Sequence, residues 1–326
     1  MIKKYYDELT IMKGIGIILV ILGHSFSFSG FNIIENNRLN TYIFKTIYSF
    51  HMPLFFMIAG FLTNNKHNLT KKFYLVKIRR LLIPYIFINI VDIIPRHLFN
   101  ELVNNKSNSF ERVIFYSGVT TWFIYTLFIL FTIFPIIEKY LIKKDQYYLF
   151  GIALLVIKSS GITDGIEIFT INKLIDMGFY FYIGYIIKPY YEQIRFSKIM
   201  KLIIFGLFIF FSYRLMKYPL INNFVPFLGI ISMWLYSQKI IMEKNYKYYF
   251  LEFCGINSLS FYLLEVFCGT IYRVILVKII PIEYNFILFS SFFILKLVTL
   301  YIGIKYIICK NKYFSFLLGA KYEGEE

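Results

Sequence analysis

Residues 11–31 read IMKGIGIILVILGHSFSFSGF, and this stretch decides the class of fold. It is long enough to span a bilayer, which takes about 20 apolar residues. Yet it holds a lysine, Lys13, and a histidine, His24. An ionisable group at bilayer depth is disfavoured by roughly 2.5 kcal/mol or more, so its presence there points to function. Lys13 and His24 are eleven residues apart, which on a helix returns to within about 20° of the starting direction after a rise of roughly 16 Å. Both side chains therefore lie on one stripe, a cation near one membrane face and an imidazole about three turns deeper. Ser25, Ser27 and Ser29 follow on the far side of His24.

The rest of the chain matches this beginning. Of its 326 residues 58% are hydrophobic, and the mean hydropathy is +0.61. A soluble domain is nearer 45–50% even with glycine counted. The expected fold is all-α, a polytopic membrane protein with spans near 11–31, 42–63, 80–98, 120–138, 148–162, 174–190, 199–215, 219–238, 256–276 and 284–308, ten in all. Short polar separators around 148–162 and 199–238 leave nine or eleven as alternatives. The net charge of +16 reads as topology rather than nucleic-acid binding, because Lys and Arg collect in cytoplasmic loops. Ten spans with both termini cytoplasmic put roughly two thirds of the 35 basic residues inside, including Lys66, Lys71, Lys72, Lys77, Arg79 and Arg80 of the loop 64–80. Residues 1–326 are expected to form one membrane-embedded domain with no soluble appendage. The first apolar run has no A-x-A-like cleavage site and reads as a retained anchor. Cys254, Cys268 and Cys309 lie in or beside apolar runs without metal-like spacing; inert buried thiols and no metal site are expected.

Polar groups gather at three places. The second span carries His51, two residues before Pro53, at a depth like that of His24 on the neighbouring antiparallel helix. Read alone, His51 is a buried histidine satisfied by a carbonyl. Lys77 and Arg80 share a helix face at i, i+3 and could clamp a phosphate, or could serve topology and headgroups of membrane lipids. With Lys13 they would form an electropositive mouth. Glu265 and Lys296 sit inside the ninth and tenth spans, where pairing lowers the cost of burying either, and a structural ion pair is the favoured reading. Trp122 reads as an interfacial anchor or as a ring that stacks on a sugar.

KGIGIILVILGH at 13–24, FHMPLFFMIAGFL at 50–62, KIRRLLIPY at 77–85 and WFI at 122–124 resemble the membrane-bound acyltransferase 3 family. Within it they are most similar to the fucose 4-O-acetylase-like branch. The likeness in length and span number covers nearly the whole chain, while the specific motifs fall in its first 125 residues. The family usually has Arg where this chain has Lys13 and Lys77, and many members have a histidine near the position of Glu265. Larger relatives append an extracellular esterase-like domain.

The resemblance implies transfer of an acyl group, usually acetyl, from cytoplasmic acyl-CoA such as acetyl-CoA. The acceptor would be a hydroxyl of a cell-surface polysaccharide or a lipid-linked glycan at a bacterial cell membrane. Lys13, Lys77 and Arg80 would bind the donor's phosphates, and His24 would act as base or as a covalent acyl carrier. His51 would orient His24 or polarise the carbonyl. A polysaccharide exporter is the rival class, since buried charges on a cross-membrane stripe also suit a permeation path.

Overall fold

In a computed structural model the described residues are 2–26, 38–63, 70–98, 110–117, 121–142, 146–194, 196–214, 219–279 and 286–325. Ser27, Ser29, Lys66 and most of the 99–119 connection lie outside them. Among the described residues the chain is helical and has no strand. The helices are α1 (Ile2–Phe26), α2 (Arg38–Leu62), α3 (Lys71–Lys77), α4 (Ile83–Leu98), α5 (Phe110–Phe115), α6 (Trp122–Tyr140), α7 (Tyr147–Ser160), α8 (Ile171–Ile187), α9 (Lys198–Arg214), α10 (Pro219–Glu243), α11 (Tyr246–Ile256), α12 (Ser258–Ile279), α13 (Phe286–Gly303) and α14 (Lys312–Leu318).

A helix occupies each of the ten expected stretches. By length and composition, five of the described helices could cross a membrane, or six if α11 and the first part of α12 count as one broken span. That pair bends by 81° at Asn257. Helices α7 and α9, at 14 and 17 residues, are short for a full crossing.

Helix α1 occupies the middle. It packs against α2, α10, α11, α12 and α13, so Ile11, Ile17 and Ile21 are sealed from solvent. A helix covered on so many sides has to be apolar around most of its circumference, as α1 is. Two of the crossings in the bundle are set by glycine. Where α1 meets α11, a Cβ on Gly14 would strike the Leu251 carbonyl and one on Gly255 the Thr10 carbonyl. Where α2 meets α8, Gly60 lies on the Phe181 carbonyl and Gly184 on that of Met57. With no hydrophobic drive between helices in lipid, close backbone approach at small residues is what holds such pairs.

Aromatic rings extend the second contact: Phe131 and Phe134 of α6 meet Phe181 of α8 edge-to-face at 5.5 and 5.2 Å, each pair worth about 1 kcal/mol beyond area. A π-helical turn, Ile78–Leu82, links α3 to α4. After α14 the tail is tied to the start of α12: Ser260 Oγ donates to the Leu318 carbonyl at 2.9 Å and the Lys321 amide donates to Asn257 Oδ1 at 3.0 Å.

Candidate active site

A cavity of about 400 Å³ opens between α1, α2, the π turn, α6 and α12. Lys13, Lys77 and Arg80 all line it, so the three cations expected to form a mouth do converge. Lys13 is 64 and 67 positions from Lys77 and Arg80, and the fold supplies their meeting. Lys77 closes α3, and Arg80 and Leu81 lie in the π turn that follows it; all three face the cavity. Lys77 Nζ sits 3.4 Å from the centroid of the Phe131 ring, a cation–π contact. Burial, and then the neighbouring Arg80, pull its ammonium down from the usual lysine range to about 8.

Along α1 the lining residues are Lys13, Ile17 and Val20, the stripe on which His24 comes next. On α12 the last lining residue is Tyr262, one turn before Glu265. The far end of the cavity thus points at the pair His24 and Glu265. His24 Nδ1 lies 2.8 Å from Glu265 Oε2. A carboxylate only accepts hydrogen bonds, so in the neutral imidazole Nδ1 carries the hydrogen and Nε2 keeps its lone pair. The other carboxylate oxygen, Oε1, is ion-paired with Lys296. Glu265 and Lys296 are each 2% exposed, whereas the His24 side chain is 35% exposed. Gly269 makes room for the lysine: a Cβ there would come within 3.2 Å of Lys296 Nζ.

The Glu265–Lys296 pair is present as expected, and its carboxylate also holds His24. The sequence carried no local signal of that link across 241 positions. His51 is 3% exposed and its Nδ1 is bonded to the Ile47 carbonyl at 2.8 Å, the bland arrangement for a buried histidine. The Tyr48 ring stands beside both imidazoles, 4.8 Å from His51 and 6.5 Å from His24. Trp122 lies off the cavity, next to Phe56 and under Lys173 Nζ at 5.7 Å, while its neighbour Phe123 lines the cavity.

Three buried carboxylates went unread in the sequence. Glu8 accepts from Trp234 Nε1 at 2.6 Å, Glu138 accepts from Tyr185 OH at 2.6 Å, and Asp92 lies in α4 beside Asn89 and Thr121. Asp92 could have been found, because it interrupts the apolar run INIVDII by the same rule that exposed Lys13.

The described residues thus form a helical bundle of apolar helices with a basic cavity between them and a carboxylate-held histidine one turn beyond its α1 wall. The chain belongs to the acyltransferase 3 family: a family model described as an acyltransferase domain matches residues 6–309. It is also similar to the nodulation protein NolL of Sinorhizobium fredii (strain NBRC 101917 / NGR234), 49% identical over 53 residues, which is 16% of this chain and 14% of that protein. No solved structure matches the chain.

Proposed function

We propose that this chain is a membrane O-acyltransferase. It moves an acyl group, acetyl in the simplest case, from cytoplasmic acyl-CoA to a hydroxyl of a cell-surface polysaccharide or lipid-linked sugar. The observation that carries the reading is a cavity lined by Lys13, Lys77 and Arg80 whose walls on α1 and α12 end at Val20 and Tyr262, one turn short of the hydrogen-bonded pair His24 and Glu265. It is supported by family membership and by the likeness of the 13–24 and 50–62 segments to the fucose 4-O-acetylase-like branch.

In this reading the basic end faces the cytoplasm, as do both termini of a ten-span chain, and the three cations hold the donor's phosphates. The flexible acyl arm follows the apolar wall past Ile17, Val20 and Phe123. His24 Nε2 takes the proton of the acceptor hydroxyl as its oxygen attacks the thioester carbon. The carbon–sulfur bond then breaks, and the same proton passes from Nε2 to the departing thiolate. Glu265 holds the ring and balances the imidazolium formed in between. Trp122 is assigned to the acceptor side, where an aromatic face could stack on a sugar ring.

The test is the ester-linked acetyl content of the surface glycan in cells carrying wild type or His24→Ala at equal membrane levels, with exported glycan measured in parallel. Loss of acetyl by about a hundredfold or more with unchanged export is expected. Retained acetylation with less glycan at the surface would replace this reading by the export one.

A further inference from the structure

Glu265 turns one oxygen to each of two neighbours. His24 Nδ1 lies on Oε2 and Lys296 Nζ on Oε1. We propose that Lys296 is a positioning residue for the transfer: its ammonium fixes Glu265 as an acceptor on both sides and so keeps the Nε2 of His24 free of hydrogen. The inference rests on the acyl-transfer reading and extends it to a residue that touches no substrate.

The argument is one of charge balance. With a neutral imidazole, the lysine, glutamate and histidine sum to zero, which suits a carboxylate and an ammonium each 2% exposed within helices α12 and α13. Among the described side chains Lys296 is the only ammonium or guanidinium that reaches Glu265. Among the described residues, Tyr48 of α2 stands against His24 and His51 against Tyr48, while Tyr262 and Cys268 flank Glu265 one turn away on α12.

Without the ammonium the buried cluster carries a net negative charge, and one bound proton removes it. If that proton sits on Oε2 of Glu265, the oxygen against the ring, the carboxyl donates to Nδ1 and the ring hydrogen moves to Nε2. If it sits on His24, both ring nitrogens carry hydrogen. In either arrangement Nε2 has no lone pair for the acceptor's proton. Raising the pH strips the extra proton and restores the base.

The experiment uses membranes from cells expressing the full chain, radiolabelled acetyl-CoA as donor, and alkali-labile label in the membrane glycan fraction as readout, from mildly acidic to alkaline pH. Lys296→Met is expected to lose about a hundredfold of rate at neutral pH, to recover toward alkaline pH, and to leave the KM for acetyl-CoA unchanged. Lys296→Arg, which keeps a cation, should retain the wild-type profile shape. Lys296→Gln serves in the same way if the methionine variant does not accumulate. A Lys296→Met rate equal to wild type would overturn the inference. So would a loss equal at every pH and not relieved by arginine, which marks a purely structural pair. Label incorporation by His24→Ala would sink the role of His24 as base, and no label above empty membranes with the wild-type chain would sink the acyl-transfer reading itself, whatever Lys296 does.

Discussion

Two chambers flank the seam between α1 and α2, and the same two helices build both. On one side Lys13, Ile17 and Val20 of α1 face Phe55, Ala59 and Leu62 of α2 across the basic cavity. On the other, Leu9 and Met12 face Met57 and Phe61 across a smaller apolar chamber of about 100 Å³, closed by Trp234 of α10. Ile58 belongs to both walls. The nearest polar atoms to the second chamber are used up within the protein, since Trp234 Nε1 donates to Glu8 and to the Tyr191 hydroxyl. What separates a candidate site from a packing gap is therefore not the hollow but the groups left to face it. A shift of a single residue, Met12 to Lys13, carries α1 from one regime to the other.

Helix α2, which both chambers share, should be the most damaging place to strike. Gly60→Leu puts a branched side chain onto the Phe181 backbone at the α2–α8 crossing. The helices would have to separate, which costs several kcal/mol by the measure of overpacked cores, on the order of 3 kcal/mol or more. The expected outcome is loss of folded protein in the membrane, read by detergent-solubilised size exclusion and thermal aggregation. A Gly60→Leu chain with wild-type melting would show that the crossing is looser than its geometry states. Because both chambers lean on α2, no variant at this position should spare one and ruin the other.

Changes on one wall should separate the chambers. Arg80→Ala removes a cation from the basic side, and a charged hydrogen bond contributes about 1.5–3 kcal/mol, so donor KM should rise roughly tenfold to a hundredfold with the melting temperature kept. Trp234→Phe acts on the other side. It leaves the Glu8 carboxylate without its indole donor, so it should lower stability by about 1–3 kcal/mol while leaving donor KM alone. Donor titrations and thermal melts on both variants check the pair; matching effects would mean the chambers are not functionally distinct.

The sequence made half of this contrast legible. The positions of the helices followed from apolar runs and their breaks, and Lys13, His24, Glu265 and Lys296 stood out because charge at depth is rare. Lys77 and Arg80 could be named from their i, i+3 spacing. What stayed hidden was who meets whom over long separations. His24 and Glu265 carry no shared pattern, and the i, i+3 spacing that puts Lys77 and Arg80 on one face does not say that this face meets Lys13 across a cavity. Glycine crossings were equally unread: Gly14 and Gly60 pair with Gly255 and Gly184 far along the chain.

The smallest expected effect concerns Lys77, and it sharpens what is meant by a basic wall. Its ammonium is held down to about 8 by burial and by Arg80, so below that pH it is charged and above it neutral. A donor phosphate is already fully ionised there, with its last proton lost near pH 6. Attraction at this corner should therefore be present on the acid side and fade as the pH rises through about 8. One partly buried charge pair contributes about 1 kcal/mol, so donor KM should climb roughly fivefold across that step while kcat follows its own profile. Lys77→Arg keeps its charge throughout the range and should flatten the KM profile, even if its fork sits less well over the Phe131 ring. Donor KM measured at several pH values for the two proteins decides it: parallel profiles would place the titrating group elsewhere and leave Lys13 and Arg80 as the cations that hold the donor.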